Sequence, residues 1–243
     1  MSLAKILKSS ALIALGTGAF ALAAPAAAGT VVKSSGPSAK SFPVGKKLKD
    51  TSRITLKAGD TVTILGSGGT RVLKGAGTYR VGARGKSTRV RFANLARSRS
   101  ANRVRTGAAR AGSGEALSPN LWYVDVTKSG KICVTDLANV TLWRPEVEVD
   151  QTIVLGQPNN EFTYQITFDG QASTRRVDSA RLALQEGAEY TINGAGGEKS
   201  ATVSFAVVEN TPNNAEAMAD TLITQGCAVQ LDLLSRKLES EAS

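Results

Sequence analysis

Short runs that alternate apolar and polar residues fill positions 53–92 of this chain. Five of them (53–57, 61–65, 70–74, 78–81 and 88–92) are separated by turns rich in glycine. Alternation with a period of two, broken at glycine, is typical of antiparallel β-hairpins. We therefore predict a β-meander with one apolar and one basic face. The apolar face would carry Ile54, Leu56, Val62, Ile64, Tyr79, Val81, Val90 and Phe92, and the basic face Arg53, Lys57, Arg80, Arg89 and Arg91.

The charge of the chain is divided unevenly along its length. Residues 29–112 hold 19 Lys and Arg against two acids, whereas residues 113–243 hold 9 against 18 acids. The two parts of this 243-residue chain therefore have net charges of +17 and −9. This asymmetry indicates two domains, or one domain that meets a polyanion with one side. Alternatively, the two halves face each other and their opposite charges favour docking.

Histidine is absent from the sequence. Its absence excludes Ser-His-Asp and Cys-His catalysis, imidazole general bases and the usual zinc and non-haem iron sites. Ser-Lys pairs and carboxylate pairs remain open as chemistry, but no carboxylate pair stands out as a general acid and base. We therefore predict a protein that is not an enzyme and that has no cofactor.

Two local motifs suggest ligands only weakly. Gly85-Lys86-Ser87 has the ending of a phosphate-binding loop, but position 80, where that motif needs glycine, is Arg80. Glu146, Glu148 and Asp150 alternate as calcium ligands could, and the same spacing fits the solvent face of a strand. We predict no metal site.

The first 28 residues have the features of a secretory signal peptide. Lys5 and Lys8 precede an apolar run at 11–23, and Ala26-Ala27-Ala28 stands before Gly29. A charged start, a short apolar run and an Ala-x-Ala exit are the three parts of such a signal. We predict cleavage near Ala28/Gly29, a periplasmic or secreted product, and no membrane span after cleavage.

Export affects the interpretation of the two cysteines. Cys133 lies in a strand-like run and Cys227 follows Gly226 in a helical stretch. Two cysteines in an oxidising compartment favour a disulfide. The alternative is two separately buried thiols.

An arginine-rich segment divides the chain that follows the signal. We expect a basic β-module at 29–92, a linker at 93–119, and an acidic β-domain with C-terminal helices at 120–243. The linker is either a solvated tether or an arm that contacts a polyanion or an acidic partner. The residues predicted to make such contacts are Arg80, Arg89, Arg91, Arg97, Arg99, Arg103, Arg105 and Arg110. Nucleic acid is not expected, because the arm lacks aromatic residues to stack on bases.

The acidic domain begins with an aromatic-rich run at 121–127, for which we predict a strand paired with 131–135. Strands are also predicted at 140–144, 152–155, 161–168, 175–180, 189–193 and 201–208. Trp122 and Trp143 would anchor a core, or alternatively one of them would face solvent and bind a sugar or peptide.

The C-terminal sequence predicts helices. Asn213 or Asn214 can cap a helix that begins at Ala215, and Gly226 can end or kink it. Apolar residues continue at helical spacing to Leu238. These helices would dock on the β-domain, pinned through Cys227, or would bind a partner.

Residues 184–192 have the spacing of a tyrosine corner, in which the Tyr190 hydroxyl would hydrogen-bond to backbone a few residues upstream. Over residues 147–208 the chain resembles fibronectin type III and immunoglobulin-like sandwiches. The resemblance implies an architecture and no particular function.

The basic module resembles FecR-type periplasmic β-domains. The similarity lies in the runs 29–36 (GTVVKSSG), 43–48 (PVGKKL), 54–62 (ITLKAGDTV) and 75–79 (GAGTY). It implies an envelope sensory or scaffolding module that is not an enzyme, as in exported bacterial proteins in which such a domain precedes a second β-domain. The partner would be an envelope signalling protein. The alternative function is binding of an anionic cell-envelope polymer through the basic half.

Overall fold

The N-terminal part of the protein consists of two small antiparallel sheets. The computed structural model describes residues 27–66, 69–83, 89–96, 116–147, 149–158, 163–194 and 201–240. A four-stranded sheet has the order β2-β1-β4-β5, with β1 (Ala27–Ser35), β2 (Lys47–Lys49), β4 (Thr61–Gly66) and β5 (Gly69–Lys74). A separate two-stranded ribbon pairs β3 (Arg53–Leu56) with β6 (Gly77–Arg80).

The connections between these strands differ from the predicted meander. β4 and β5 form the expected hairpin, but β3 pairs with β6 and not with its neighbour β4. The turn at 57–60 directs the chain from one sheet to the other, because the Asp60 carboxylate accepts hydrogen bonds from the amides of Lys57 and Ser38. The two sheets enclose one cluster of buried side chains: Val31, Leu48, Ile54, Leu56, Val62, Ile64, Leu73 and Val81.

The last predicted strand of the meander is a helix. α1 (Arg89–Ala96) includes positions 89–92 of the run 88–92 that was expected to be extended, so that prediction was wrong. Phe92 and Leu95, three residues apart, are both buried in a core that includes the C-terminal helices. Burial of both side chains on one face of a helix stabilises the helix more than the local alternation of residues 88–92 favours a strand.

The acidic half has a five-stranded sheet and a three-stranded sheet around a common core. The larger has the order β11-β10-β13-β14-β8, with β8 (Gly130–Val134), β10 (Gln151–Gly156), β11 (Thr163–Phe168), β13 (Glu189–Gly194) and β14 (Ala201–Val207). The smaller has the order β12-β9-β7, with β7 (Val124–Asp125), β9 (Thr141–Trp143) and β12 (Thr174–Arg176).

The pairing predicted at the start of this half was wrong. Residues 121–127 contain only the two-residue strand β7, which pairs in parallel with β9. β8 pairs in parallel with β14. Local hydrogen bonds divert the chain here, because Asn120 accepts from the Trp122 amide and Asp125 accepts from the Thr127 amide. Such side-chain-to-backbone bonds compete with strand pairing.

Two helices end the described chain. Asn214 caps α2 (Ala215–Gln225) by accepting from the amide of Ala217, and Gly226 ends it in the left-handed conformation. α3 (Ala228–Glu239) follows directly. The protein is thus mainly β with a C-terminal helical segment, as predicted. No helix among the described residues has the length and apolar character needed to cross a membrane.

Candidate functional site

The two oppositely charged halves of the molecule dock against each other. β1, β4 and β5 of the basic half contact α2 and α3 of the acidic half. The shared core contains Val32, Leu65, Phe92, Leu95, Trp122, Met218, Leu222 and Leu234. Docking was one of the interpretations that the charge asymmetry left open, and it is the arrangement found.

Ion pairs and hydrogen bonds surround this shared core. Lys33 Nζ lies 3.3 Å from Asp232 and 3.8 Å from Glu239 on α3. On the other helix, Asp220 accepts from Lys47 Nζ at 2.5 Å and from the Thr30 hydroxyl at 3.2 Å. The side chains of these ion pairs are 22–50% exposed, so solvent screens them. Each pair adds about 1 kcal/mol or less and mainly fixes the orientation of docking.

Cys133 and Cys227 form a disulfide that joins β8 to the start of α3. Beside it, the side chain of Gln230 is 1% exposed and both accepts hydrogen bonds from and donates them to backbone groups. Its Oε1 accepts from the Cys133 amide at 2.7 Å, and its Nε2 donates to the carbonyls of Cys133 and Leu121 at 2.5 and 3.0 Å. α3 is therefore attached to the sheet by one covalent bond and three buried hydrogen bonds.

An apolar groove of about 320 Å³ runs along α3 beside this attachment. We call it the α3 groove. Its apolar lining is Ala116, Leu117, Ile132, Ala228, Val229 and Leu233, and its charged lining is Asp125, Lys128, Asp232 and Arg236. Ile132 and Ala228 neighbour the two bonded cysteines in sequence. The disulfide and Gln230 thus hold the elements that line the groove at a fixed separation.

Tyr123 lines both the α3 groove and a second cleft, of about 310 Å³. The second cleft is polar and is lined by Trp122, Thr135, Asp136, Asn139, Thr141 and Arg176. Burial raises the pKa of the Tyr123 hydroxyl, and the positive charge of Arg176 partly opposes this. Tyr123 is therefore a neutral hydroxyl group near the guanidinium of Arg176 at physiological pH.

The described lining of the polar cleft contains one carboxylate, that of Asp136, and it is ionised. Hydrogen bonds from the Asn139 side chain and the Ala138 amide hold the pKa of Asp136 below its usual value, despite some desolvation. The Asp136 side chain also caps the short 3-10 turn at 137–139. Asp136 thus stays charged and orients Asn139.

The predicted polyanion-binding arginines are not brought together by the described structure. Arg80 is exposed on β6, directly opposite the exposed Arg53 of β3. Arg89 and Arg91 belong to helix α1 and not to a sheet. Arg97, Arg99, Arg103, Arg105 and Arg110 lie outside the described residues, as does most of the predicted signal peptide.

The two tryptophans and the predicted tyrosine corner are buried. Trp122 and Trp143 are each at most 6% exposed, so neither presents a free ring to solvent. Trp122 Nε1 donates to the carbonyl of Ala96 at the end of α1. The Tyr190 hydroxyl accepts from the Gln185 amide at 2.9 Å, five residues upstream.

Sequence reasoning did not identify Tyr123, Arg176 or Gln230. Gln230 offered a signal, because it shares the helical stripe of Leu234 and Leu238 and a polar side chain on an apolar stripe requires buried partners. Tyr123 and Arg176 are 53 positions apart and offered none.

Among the described residues, no group of three or more Cys, Asp or Glu lies close enough to hold a metal ion. Comparison with protein-family models, curated proteins and solved structures finds no match to this chain.

Proposed function

We propose that this chain acts in the periplasm as a non-enzymatic sensory or scaffolding protein that binds an envelope signalling protein. The α3 groove is the observation that carries the proposal. It combines an apolar lining, charged residues of both signs and rigid support from the disulfide and Gln230. Preorganised apolar clefts with a few polar groups are the usual form of a binding site.

The occupant that fits the groove best is an extended segment of the partner protein. Leu117, Ile132 and Leu233 can receive apolar side chains of such a segment. Lys128 and Arg236 supply positive charge to the groove and Asp125 and Asp232 supply negative charge, and these charges can select the flanking residues of the segment. The predicted signal peptide and the disulfide support an envelope location, where such a partner would be met.

Site-specific crosslinking tests this function. A photoreactive residue at the exposed Ala228, on the groove, is compared with one at the exposed Gln225, which does not line it. We expect crosslinks to one membrane signalling protein from position 228 only. Val229→Asp, which places a charge in the apolar lining, should abolish them. Equal crosslinking from both positions, or crosslinks that survive Val229→Asp, would contradict the proposal.

A second candidate function is binding of an anionic envelope polymer by the basic half. The observation that favours it is the pair Arg53 and Arg80, which are cross-strand neighbours on the exposed face of the β3–β6 ribbon. Like charges directly opposite each other destabilise a sheet. In the described part of the chain neither arginine has an ion-pair partner, so an external anion would relieve this repulsion.

The polymer hypothesis makes a prediction that a structural role for the arginines does not make. Arg80→Thr should raise the thermal midpoint at low salt and also weaken binding of a polyphosphate probe. Lys40→Thr, which removes an exposed charge away from the ribbon strands, is the control and should do neither. Binding of the unaltered protein should weaken steeply with salt concentration. Salt-independent binding would eliminate this second candidate.

A further inference from the structure

The polar cleft beside Tyr123 contains side chains that are held in place by the fold. Arg176 on β12 lies opposite Thr141 on β9 in the three-stranded sheet. Arg176 Nη1 donates to Asn139 Oδ1 at 3.3 Å, and Asn139 Nδ2 donates to Asp136 Oδ2 at 2.5 Å. Asp136 in turn accepts from the Ala138 amide at 2.8 Å. This series of contacts orients the planar groups of Arg176, Asn139 and Asp136 before any ligand arrives.

Several polar groups in the cleft have hydrogen-bond donors or acceptors that no protein group uses among the described residues. Among the described residues, the hydroxyls of Tyr123, Thr135 and Thr141 have no hydrogen-bond partner. Arg176 uses one of its five N–H donors on Asn139. Hydroxyls without a partner and a guanidinium with unused N–H donors line the same cleft, and together they favour a ligand rich in oxygen.

The charges of the cleft narrow the class of ligand. Among the described residues, the lining holds one cation, Arg176, and one anion, Asp136. A carboxylate ligand would gain from Arg176 but would be repelled by Asp136, whereas a neutral ligand meets no such penalty. Tyr123 adds aromatic surface on which the apolar face of a ring can rest.

We propose that this cleft binds a neutral saccharide unit of one or two sugar rings. Vicinal hydroxyls can both donate and accept, as the planar side chains of Asn139, Asp136 and Arg176 require. A volume of about 310 Å³ is at the lower end for small-molecule sites and suits one or two rings. The cleft shares Tyr123 with the α3 groove but is otherwise lined by different residues, and its proposed ligand extends the proposed function to glycan recognition.

Ligand-observed saturation-transfer NMR on the full chain, with its disulfide intact, tests the proposal. The probes are maltose, cellobiose and N,N′-diacetylchitobiose at millimolar concentration, with glucuronic acid as the charged comparison. We expect at least one neutral disaccharide to bind. Arg176→Met should weaken its binding about tenfold or more, and Thr135→Val, which removes one hydroxyl at constant shape, about threefold.

Arg181→Met is the matched control, because Arg181 is exposed and does not line the cleft. It should bind as the unaltered protein does. Circular dichroism establishes that each variant is folded, and Thr135→Val keeps the test valid if Arg176→Met does not fold. Failure of all three neutral probes to bind would overturn the proposal, as would a preference for glucuronic acid. Undiminished binding in the folded variants would also overturn it.

Discussion

At the scale of single residues, Arg144 is the least expected feature of the molecule. Its side chain is 2% exposed, and burial lowers the pKa of the guanidinium, which the nearby Asp150 charge partly offsets. It donates to the carbonyls of Val149, Gly170 and Ala172 at 2.5–2.9 Å and lies 5.2 Å from the centre of the Phe168 ring. The Arg144 side chain thus hydrogen-bonds to two loops of the acidic half, one at Val149 and one at 170–172.

Replacement of Arg144 should therefore destabilise the protein strongly. Arg144→Met keeps most of the apolar volume but leaves three carbonyl groups without their donor. We expect a loss of about 3 kcal/mol in the free energy of unfolding, measured by chemical denaturation. Arg181→Met, at an exposed position, should change it by less than about 0.5 kcal/mol. Equal stability of the two variants would show that the buried bonds contribute little.

Asp60 is a second residue whose role depends on hydrogen bonds. Burial acts to raise the pKa of its carboxyl group, but hydrogen bonds from Ser38 and from the amide of Lys57 outweigh burial and lower the pKa. Gly36 is required opposite it, because a Cβ there would lie 2.6 Å from Asp60 Oδ1. The carboxylate thus fills the space that glycine leaves.

The lowered pKa predicts how stability depends on pH. A carboxyl group whose pKa is lowered by folding stabilises the fold at any pH above its unfolded-state pKa of about 3.9. This contribution is lost as the pH falls through the lower, folded-state pKa. We expect Asp60→Asn to be less stable than the unaltered protein at pH 7. The difference in the free energy of unfolding between the two proteins should become smaller below about pH 4. Denaturation at several pH values measures it, and a constant difference would contradict the argument.

At the scale of elements, the tyrosine corner shows a local motif that survives into the tertiary structure. Tyr190 lies at the start of β13, packs 5.7 Å from the Phe205 ring of β14, and holds residues 184–188 through the Gln185 amide. The spacing of the motif is local, so the sequence alone was sufficient to predict it.

Removal of this one hydroxyl should have a measurable cost. Tyr190→Phe leaves the Gln185 amide without its acceptor and should lower the free energy of unfolding by about 1 kcal/mol. Tyr164→Phe is the control, because the Tyr164 hydroxyl has no hydrogen-bond partner within the described chain. Chemical denaturation of both variants makes the comparison. Equal losses would mean that the corner bond does not stabilise the fold.

At the scale of the whole molecule, the two halves share a core and should unfold together. The apolar cluster draws Val32 and Leu65 from the basic half and Met218, Leu222 and Leu234 from the helices. The disulfide spans 94 residues of the acidic half and fixes α3, against which the basic sheet packs. We therefore expect tryptophan fluorescence and far-UV circular dichroism to report one coincident transition.

Loss of the disulfide should lower the midpoint of that unfolding transition. The double variant Cys133→Ala/Cys227→Ala should be less stable by about 4–5 kcal/mol in the chain-entropy model. Reductant should shift the midpoint of the unaltered protein toward that of the variant and leave the variant unchanged. Separate transitions for the two halves would contradict the shared core.

The sequence by itself determined much of the local structure. Alternation and glycine turns predicted the β4–β5 hairpin and most strands of the acidic half, because these patterns depend on residues close in the chain. Asn214 and Gly226 likewise marked the ends of α2, since helix caps are local.

Only the tertiary structure decided which surfaces are covered. β4 is buried on both faces, so Thr63, which alternates with the apolar Val62 and Ile64, also lies against α3 and donates to Glu239. Helix α1 forms where a strand was predicted for a similar reason. Phe92 and Leu95 pack in a core whose other residues lie far away in the sequence. The two clefts likewise join residues far apart in sequence, and a pattern of neighbours contains no information about such contacts.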